Sequence, residues 1–174
     1  MSSAAANIPA DSAARVRLLV LDVDGVLTDG RLYYGARGEA LKVFHVRDGA
    51  GLKLLAAAGV TVAVISGRRS AMTSRRCREL GVRHLMQGIE DKLAAFHRLR
   101  GRLGMTSGVC ACVGDDVPDV PLMREVGLSF AVADAHPQTR RAAHVVTRLP
   151  GGQGAVREVC DYLLAARGSA GALE

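Results

Sequence analysis

Short apolar runs that alternate with helix-like segments are the feature that most limits how this chain can fold. Four of these runs, LLVL, VTVAVIS, VCACV and LSFAVA, contain almost no charged or strongly polar side chains. Apolar runs of this kind are typical of strands buried on both faces, and their alternation with helices predicts a parallel sheet. The predicted fold class is therefore α/β, with a Rossmann-like parallel sheet and helices on both faces.

The alternation continues along the whole chain after a first strand at 16–22. Asp48 is the predicted N-cap of the first helix, which ends at Gly59. The other expected elements are a β-hairpin at 31–44, strands at 60–67, 83–86, 108–116, 128–134 and 144–148, and helices at 71–80, 92–103, from Pro118 and Pro121 onward, 136–143 and 155–166.

Length and composition favour one domain. A chain of 174 residues with 49% hydrophobic residues can bury one α/β core but is short for two. Residues 16–174 are the predicted domain, and residues 1–15 are expected to be a disordered tail. Aromatic residues make up only 3%, so the core is expected to consist mainly of valine, leucine and alanine.

Composition also restricts the partners and the compartment. The formal charge of +6 fits a small anionic substrate better than nucleic acid, because the arginine-rich segment around 68–78 has no aromatic residues to stack on bases. The four cysteines have neither zinc-site nor disulfide spacing, and no segment is apolar enough to span a membrane. A cytoplasmic protein without a nucleic-acid or membrane partner is expected.

Polar residues follow three of the predicted strands directly. Asp22 and Asp24 follow the first strand, Ser66 and Gly67 follow VTVAVI, and Asp115 follows VCACVG. Ligands of open parallel sheets bind beyond the carboxyl ends of the strands. The three groups are therefore expected to converge at one edge of the sheet. The acidic loop lacks the spacing of an EF-hand, which excludes that calcium site.

Hydrolysis of a phosphate monoester would use each of these groups. One of the two carboxylates Asp22 and Asp24 can attack phosphorus while the other handles the proton. Two carboxylates would repel a phosphate, so a cation is needed, and oxygen ligands such as Asp22 and Asp115 suit Mg²⁺. Asp119 could orient the metal waters. Ser66 with nearby backbone N–H groups, and the ammonium of Lys92, are candidates for binding the phosphate.

These segments resemble the four motifs of the haloacid dehalogenase superfamily, in the same order: DVDGVLTDG, VISGR, Lys92 before a helix, and GDDVPD. The resemblance implies that Asp22 is the nucleophile that forms an aspartyl phosphate and that Asp24 is the general acid and base. It further implies that Ser66, Gly67 and Lys92 bind phosphate. The implied Mg²⁺ ligands are Asp22, the backbone carbonyl of Asp24, and Asp115.

A closer similarity, to capless sugar-acid phosphatases of that superfamily, covers residues 16–167. It rests on DGVLTDGRLYYG, GEALKVFHVRDGAG, DKLAAF, GDDVPDVPLM and GGQGAVREV. It implies Mg²⁺-dependent hydrolysis of 3-deoxy-D-manno-octulosonate 8-phosphate in lipopolysaccharide synthesis. It also implies a cytoplasmic homotetramer in which the hairpin shapes neighbouring sites. Thr28, Arg47, Arg68 and Arg148 are the candidate substrate contacts, the arginines for the sugar-acid carboxylate.

Several alternatives stay open at this point. The substrate could be another sugar-acid phosphate, such as a nonulosonate 9-phosphate, because the four motifs address only phosphate and metal. The chain could also be a catalytically silent scaffold of the same fold. Among individual residues, Asp116 is either a support for the site or an ordinary helix N-cap. Ser66 could be a plain turn residue and Lys92 a solvated lysine at a helix start.

Overall fold

The structure is a computed structural model and describes residues 10–168. Its strands are β1 (Leu18–Leu21), β2 (Tyr33–Gly35), β3 (Gly38–Leu41), β4 (Thr61–Ser66), β5 (His84–Gln87), β6 (Cys110–Gly114), β7 (Leu128–Ala131) and β8 (Val145–Val146). Its α-helices are α1 (Ala10–Ala14), α2 (Val46–Ala57), α3 (Ala71–Glu79), α4 (Lys92–Arg102), α5 (Val120–Glu125), α6 (Pro137–Ala142) and α7 (Ala155–Ala166). Two 3-10 turns lie at Ser107–Val109 and Val117–Asp119.

Six of the strands form one parallel sheet in the order β5-β4-β1-β6-β7-β8. The inner strands β1, β6 and β7 are buried at every residue, because helices cover both faces of the sheet. This burial explains why these strands read as continuous apolar runs rather than as alternating ones. The predicted α/β class, with a parallel sheet between helices, is confirmed.

The helices divide into two layers. On one side α2 packs against α7, which also contacts α1, and on the other side α4 packs against α5. Successive connections run from β1 toward β5 and then return past β1 to β6. Since crossovers between parallel strands are right-handed, this reversal moves the helices to the opposite face. The reversal point, beside the carboxyl end of β1, is where open α/β sheets bind ligands.

Strands β2 and β3 form the expected hairpin, a separate antiparallel pair between β1 and α2. In the described part of the chain it is the only regular structure between those two elements, so the structure has no cap domain there. Among residues 10–168, the carboxyl end of β1 is therefore covered only by the hairpin and by the loops around it.

The N-terminal expectation needs a correction. Residues 1–9 lie outside the described part of the chain, but Ala10–Ala14 form α1 rather than a disordered tail. Ala13 is fully buried in the core, and α1 packs on α7. The Arg167 guanidinium donates to the carbonyl oxygens of Ala14 and Val16, at 3.4 and 2.9 Å, which attaches this segment to the domain.

Asp48 is not the N-cap of α2, as the sequence predicted. The helix begins earlier, at Val46, and its N-cap is His45, whose Nδ1 accepts a hydrogen bond from the backbone N–H of Arg47. Asp48 is buried, and its Oδ1 accepts from the backbone N–H of Arg157 at 2.8 Å. Asp48 therefore caps the first turn of α7 from a neighbouring helix, where the cap residue Gly154 has no side chain.

In the described residues, no helix combines the length and the apolar composition that crossing a bilayer requires.

Replacing Asp48 is expected to destabilise the fold through α7. Asp48→Ala leaves the N–H of Arg157 without its acceptor and should lower the free energy of unfolding by about 1–3 kcal/mol. Asp48→Asn keeps an acceptor oxygen, and burial already raises the pKa of Asp48, so this variant should lose less. Urea unfolding followed by circular dichroism measures both. Equal losses in the two variants would contradict the capping role.

Candidate functional site

A cleft of about 430 Å³ lies at the carboxyl end of the sheet, beside β1, β4 and β6. Six acidic and two basic side chains line it, so its charge is strongly negative without a further cation. The lining residues are Asp22, Asp24, Ser66, Gly67, Arg68, Ile89, Glu90, Lys92, Asp115, Asp116, Pro118 and Asp119. The predicted convergence of the three strand-end groups is therefore present in the structure.

Asp22 occupies the centre of this cleft because β1 is the strand at which the sheet reverses its order. Its backbone N–H donates to the carbonyl oxygen of Val113, which continues the pairing of β1 with β6. Its Oδ1 accepts from the N–H of Val23 at 2.7 Å. The backbone on both sides of Asp22 is thus fixed, and the other carboxylate oxygen faces Lys92.

Lys92 connects two carboxylates from different segments, Asp22 directly after β1 and Asp119 in the turn after β6. It is the first residue of α4, and its side chain is only 7% exposed. Its Nζ lies 2.9 Å from Oδ2 of Asp22 and 2.6 Å from Oδ1 of Asp119. Burial by itself disfavours the ammonium, but these two carboxylates outweigh it and raise the pKa of Lys92. The alternative of a solvated lysine is wrong.

Asp119 holds the loop after β6 in place. While its Oδ1 contacts Lys92, its Oδ2 accepts from the backbone N–H groups of Asp115 and Asp116, at 3.0 and 3.3 Å. Asp116 has the N-cap role that the sequence left open, because its Oδ1 accepts from the N–H of Val117. Asp116 also lines the cleft, so capping and support for the site coincide in one residue.

The Asp115 carboxylate lies directly against the loop after β1. A Cβ placed on Gly25 would come within 2.0 Å of Oδ2 of Asp115, and Gly25 has a φ of +89°. On the other side of the loop, a Cβ on Gly151 would come within 1.7 Å of the carbonyl oxygen of Gly25. Asp115, Gly25 and Gly151 thus form a stack that only glycine can fill at its two backbone positions.

Three carboxylates of the cleft can share a metal ion. One oxygen each from Asp22, Asp115 and Asp119 lies within 4.8 Å of the other two. Burial, and then repulsion from Asp119, raises the pKa of Asp22 to about 6, although Lys92 opposes the shift. Burial, with the charges of Asp22 and Asp119, raises the pKa of Asp115 to about 8. A hard divalent cation such as Mg²⁺ would relieve this repulsion, and oxygen donors are the ligands it prefers.

The Asp24 carboxylate lies outside this three-carboxylate cluster. Its Oδ1 pairs with the ammonium of Lys42, and its Oδ2 lies 3.8 Å from Nε of Arg68. Lys42 follows β3, so the hairpin reaches the site through this contact. Arg68 also donates to the Tyr34 hydroxyl on β2, at 3.3 Å. Of the metal ligands implied by resemblance, the structure groups Asp22 and Asp115 with Asp119.

The remaining predicted residues near the cleft differ in their surroundings. Ser66 is buried at the end of β4, where its Oγ accepts from the N–H of Arg68 at 3.3 Å, and Gly67 lies beside it in the cleft.

Thr28 does not line the cleft. It is buried in the loop, where its Oγ1 accepts from the N–H groups of Gly25 and Gly30. The structure therefore gives Thr28 a role in closing the loop, and its contact with substrate stays a prediction.

Arg47 and Arg148 are not brought to the cleft in this chain. Both line a second cleft of about 520 Å³, formed where α2 and α7 meet. Arg148 is almost fully exposed, and its Nε lies 3.2 Å from Oε1 of Glu158. Of the three arginines proposed for the sugar acid, only Arg68 therefore lies in the same cleft as Asp22.

Sequence reasoning missed Lys42 and the two stacked glycines. Lys42 is 18 residues from Asp24, on a hairpin whose position relative to β1 no sequence pattern specifies. Gly25 could have been found, since a glycine directly after the second aspartate suggests close backbone approach. The GGQG segment was noticed, but its contact with the loop of Gly25 depends on the path of the chain from β8 to α7.

Comparisons with known proteins identify the class. The family model for haloacid dehalogenase-like hydrolases matches residues 84–157. Over 155 residues the chain is 52% identical to the 3-deoxy-D-manno-octulosonate 8-phosphate phosphatase KdsC of Yersinia pestis. That alignment covers 89% of this chain and 83% of the relative. The chain is thus a haloacid dehalogenase-like hydrolase.

Solved structures agree with this assignment. The crystal structure of 3-deoxy-D-manno-octulosonate 8-phosphate phosphatase from Yersinia pestis has a TM-score of 0.91 and 49% identity, covering 94% of this chain and 88% of that one. The enzyme of the same name from Moraxella catarrhalis, solved with a magnesium ion, a phosphate ion and a KDO molecule, has a TM-score of 0.89 and 43% identity, covering 91% of each chain. Within its class, the chain belongs to the family of 3-deoxy-D-manno-octulosonate 8-phosphate phosphatases.

The glycine stack leads to a prediction about metal binding. Gly25→Ala should displace the Asp115 carboxylate and weaken Mg²⁺ binding at least about tenfold, which corresponds to about 1.4 kcal/mol. Gly30→Ala is the matched control, because Gly30 lies in the same loop with a φ of +77° but has no heavy atom closer than 3.5 Å to an added Cβ. Isothermal titration with MgCl₂ compares them. Equal weakening in both variants would mean that backbone strain, not Asp115, causes the loss.

Proposed function

We propose that this protein hydrolyses 3-deoxy-D-manno-octulosonate 8-phosphate to the free sugar acid and phosphate, with Mg²⁺ as cofactor. The observation that carries this proposal is the convergence of Asp22, Asp115, Asp119 and Lys92 at the carboxyl end of β1 and β6. The substrate is supported by the Moraxella catarrhalis relative, which was solved with Mg²⁺, phosphate and KDO.

The reaction has two steps, in which Asp22 and Asp24 have complementary roles. A carboxylate oxygen of Asp22 attacks phosphorus, the bond from phosphorus to the sugar oxygen breaks, and Asp24 donates a proton to that oxygen. A water molecule then gives a proton to Asp24 and attacks the phosphorus, which releases phosphate and restores the Asp22 carboxylate. The backbone hydrogen bonds on both sides of Asp22 support its role, because they hold the attacking group in place.

The phosphoryl oxygens are held by Ser66, the backbone N–H of Gly67, and Lys92. Because the Ser66 Oγ accepts its hydrogen bond from Arg68, its own hydrogen is free to be donated to a phosphoryl oxygen. Lys92 supplies a positive charge in a buried position, where an electrostatic contact is stronger than in water. Its contact with Asp22 places this charge beside the attacking oxygen.

Mg²⁺ fits the charge of the cleft. Asp22 and Asp115 would hold the ion, with the backbone carbonyl of Asp24, while Asp119 keeps the Asp115 loop and Lys92 in place. When bound, the ion offsets the repulsion between the carboxylates and the phosphate and stabilises charge on the phosphoryl oxygens. Six acids against two basic residues in the lining make such a cation necessary for an anionic substrate.

Recognition of the sugar acid involves Arg68 in the same chain and, in this proposal, a neighbouring subunit in a homotetramer. The hairpin and the start of α2 expose Tyr34, Leu41, Val43 and Val46, an apolar surface next to an open cleft. A neighbour seated there would restrict water access. Arg47 and Arg148, which lie outside their own chain's cleft, are the candidates to act on a neighbour's substrate. The enzyme would work in the cytoplasm, in lipopolysaccharide synthesis.

A substrate panel tests the proposed function. Phosphate release with Mg²⁺ should be fastest from 3-deoxy-D-manno-octulosonate 8-phosphate, compared with a nonulosonate 9-phosphate, arabinose 5-phosphate and p-nitrophenyl phosphate. Asp22→Asn should lower kcat by more than about 10³-fold with the fold intact, because it removes the nucleophile from a strand tip outside the core. A preference for the nonulosonate would change the substrate but keep the mechanism. If no phosphate ester reacts, the scaffold alternative is favoured.

The raised carboxyl pKa values predict how Mg²⁺ binding depends on pH. Below about pH 8 Asp115 is increasingly protonated, and below about 6 so is Asp22, so the ion must displace protons. The rise in unfolding temperature caused by Mg²⁺ should therefore be larger at about pH 8.5 than at about pH 6.

The same shifts set the stability without metal. Both carboxyl groups have folded-state pKa values above the ordinary value of 3.8, so ionisation favours the unfolded chain. Metal-free stability should fall as pH rises from about 4 to about 8. Asp115→Asn is the control and should show a smaller fall. For the prediction on Mg²⁺ binding, a rise in unfolding temperature that is larger at about pH 6 than at about pH 8.5 would contradict this account.

A further inference from the structure

Lys42 has a buried side chain on an otherwise exposed hairpin. Its neighbours Leu41 and Val43 are about half exposed, whereas the Lys42 side chain is 2% exposed. The alternation of β3, continued to the next residue, turns Lys42 toward the loop after β1, and its ammonium reaches Oδ1 of Asp24. Its other partner is Glu39, at 3.0 Å. Both ion-pair partners of the Lys42 ammonium are therefore carboxylates. One of them, Asp24, lies in the loop after β1.

The pair is part of a network that holds both oxygens of the Asp24 carboxylate. Lys42 contacts Oδ1, and Nε of Arg68 lies 3.8 Å from Oδ2. Glu39 connects the two cations, since its Oε1 lies 3.0 Å from Lys42 and 3.6 Å from Arg68. Because Arg68 is 42% exposed and its contact with Asp24 is long, Lys42 is the main constraint on the orientation of Asp24.

Stability alone does not account for a lysine in this position. Desolvating an ammonium costs several kcal/mol, and a buried ion pair is often no more stabilising than apolar residues of the same size. The hairpin is also not part of the main sheet or of its core. The contact does, however, fix the direction of a carboxylate that must reach the leaving oxygen of the substrate, and such orientation is a large part of catalysis.

We propose that Lys42 is a positioning residue for proton transfer by Asp24, an inference that rests on the proposed function. Within the described residues, the ion-pair partners of Lys42 are Asp24 and Glu39, and not the carboxylates of Asp22, Asp115 or Asp119. It acts by holding the Asp24 carboxyl group toward the oxygen of the scissile ester, so that the hairpin takes part in the chemistry of its own subunit. The proton itself still moves between Asp24 and the sugar oxygen.

The test uses esters that differ in their need for a proton. A sugar alkoxide leaves poorly unless it is protonated, whereas p-nitrophenolate leaves without a proton. Lys42→Met should lower kcat/KM for 3-deoxy-D-manno-octulosonate 8-phosphate by about 10²-fold, the usual size of a general acid contribution, and by less than about threefold for p-nitrophenyl phosphate. The value of kcat/KM is used because it reports the step in which the ester bond breaks.

Conservative variants separate positioning from folding. Lys42→Arg keeps a cation and should restore part of the loss on the sugar ester. Glu39→Gln leaves Lys42 in place but removes one of its partners, so it should cause a smaller loss with the same dependence on the ester. In an Asp24→Asn background, Lys42→Met should change kcat/KM for the sugar ester by less than about threefold, since the group that it positions is already gone.

Three outcomes would overturn the inference. An equal loss on both esters would indicate a structural role or phosphate binding. No loss in Lys42→Met or Glu39→Gln would remove the role altogether. A loss on the sugar acid but not on arabinose 5-phosphate, an alkyl phosphate without a carboxylate, would make Lys42 a substrate-binding residue. The proposed function is judged separately, because its failure appears as inactivity of the unmodified enzyme on the sugar phosphate.

Discussion

The site depends on one buried ammonium, that of Lys92, between the carboxylates of Asp22 and Asp119. Carboxylates shielded from water are costly unless they are paired, and here one buried and two partly buried carboxylates share one strand edge. Lys92 joins the tip of β1 to the turn after β6 from the first residue of α4, so three elements meet through two ion pairs. Burial, and then repulsion from the charges of Asp22 and Asp119, raises the pKa of Asp115. The excess of carboxylates over basic side chains favours binding of a divalent cation. An anionic substrate would then balance the positive charge of that cation.

The second constraint is the close approach of other groups to the backbone of the loop after β1. It explains glycine residues whose lack of a side chain is what the structure requires. Gly25 lets the Asp115 carboxylate rest on the loop after β1, and Gly151 lets the chain before α7 press against the other side of that loop. The N–H of Gly152 also donates to the carbonyl oxygen of Val26, at 2.9 Å. The loop after β1, which begins at Asp22, is thus held between the strand edge and the C-terminal segment. The packing of α7, which Asp48 caps from α2, therefore bears on the geometry of the site.

The hairpin has two different faces, and each has its own physical role. One face is apolar and exposed, which suits contact with another subunit, and the other carries Lys42 and Glu39 toward Asp24. Because the described part of the chain has no cap domain between β1 and α2, these few residues are the ones that cover the site beside Asp24. The same two faces explain why a short antiparallel pair persists beside a sheet that does not need it for its core.

The sequence by itself determined the class of the fold, nearly all of its elements, and the groups that meet at the strand tips. Buried parallel strands appear in a sequence as continuous apolar runs. Because the carboxyl ends of these strands lie at the same edge of the sheet, Asp22, Ser66 and Asp115 could be placed together from the sequence alone. Tertiary structure alone decided which partner each charge has. Lys42 pairs with Asp24, and Arg47 turns toward another cleft, because contacts between separate segments depend on how loops fold back. Such contacts join residues that are separate in the sequence, so the periodicity of strands and helices does not predict them.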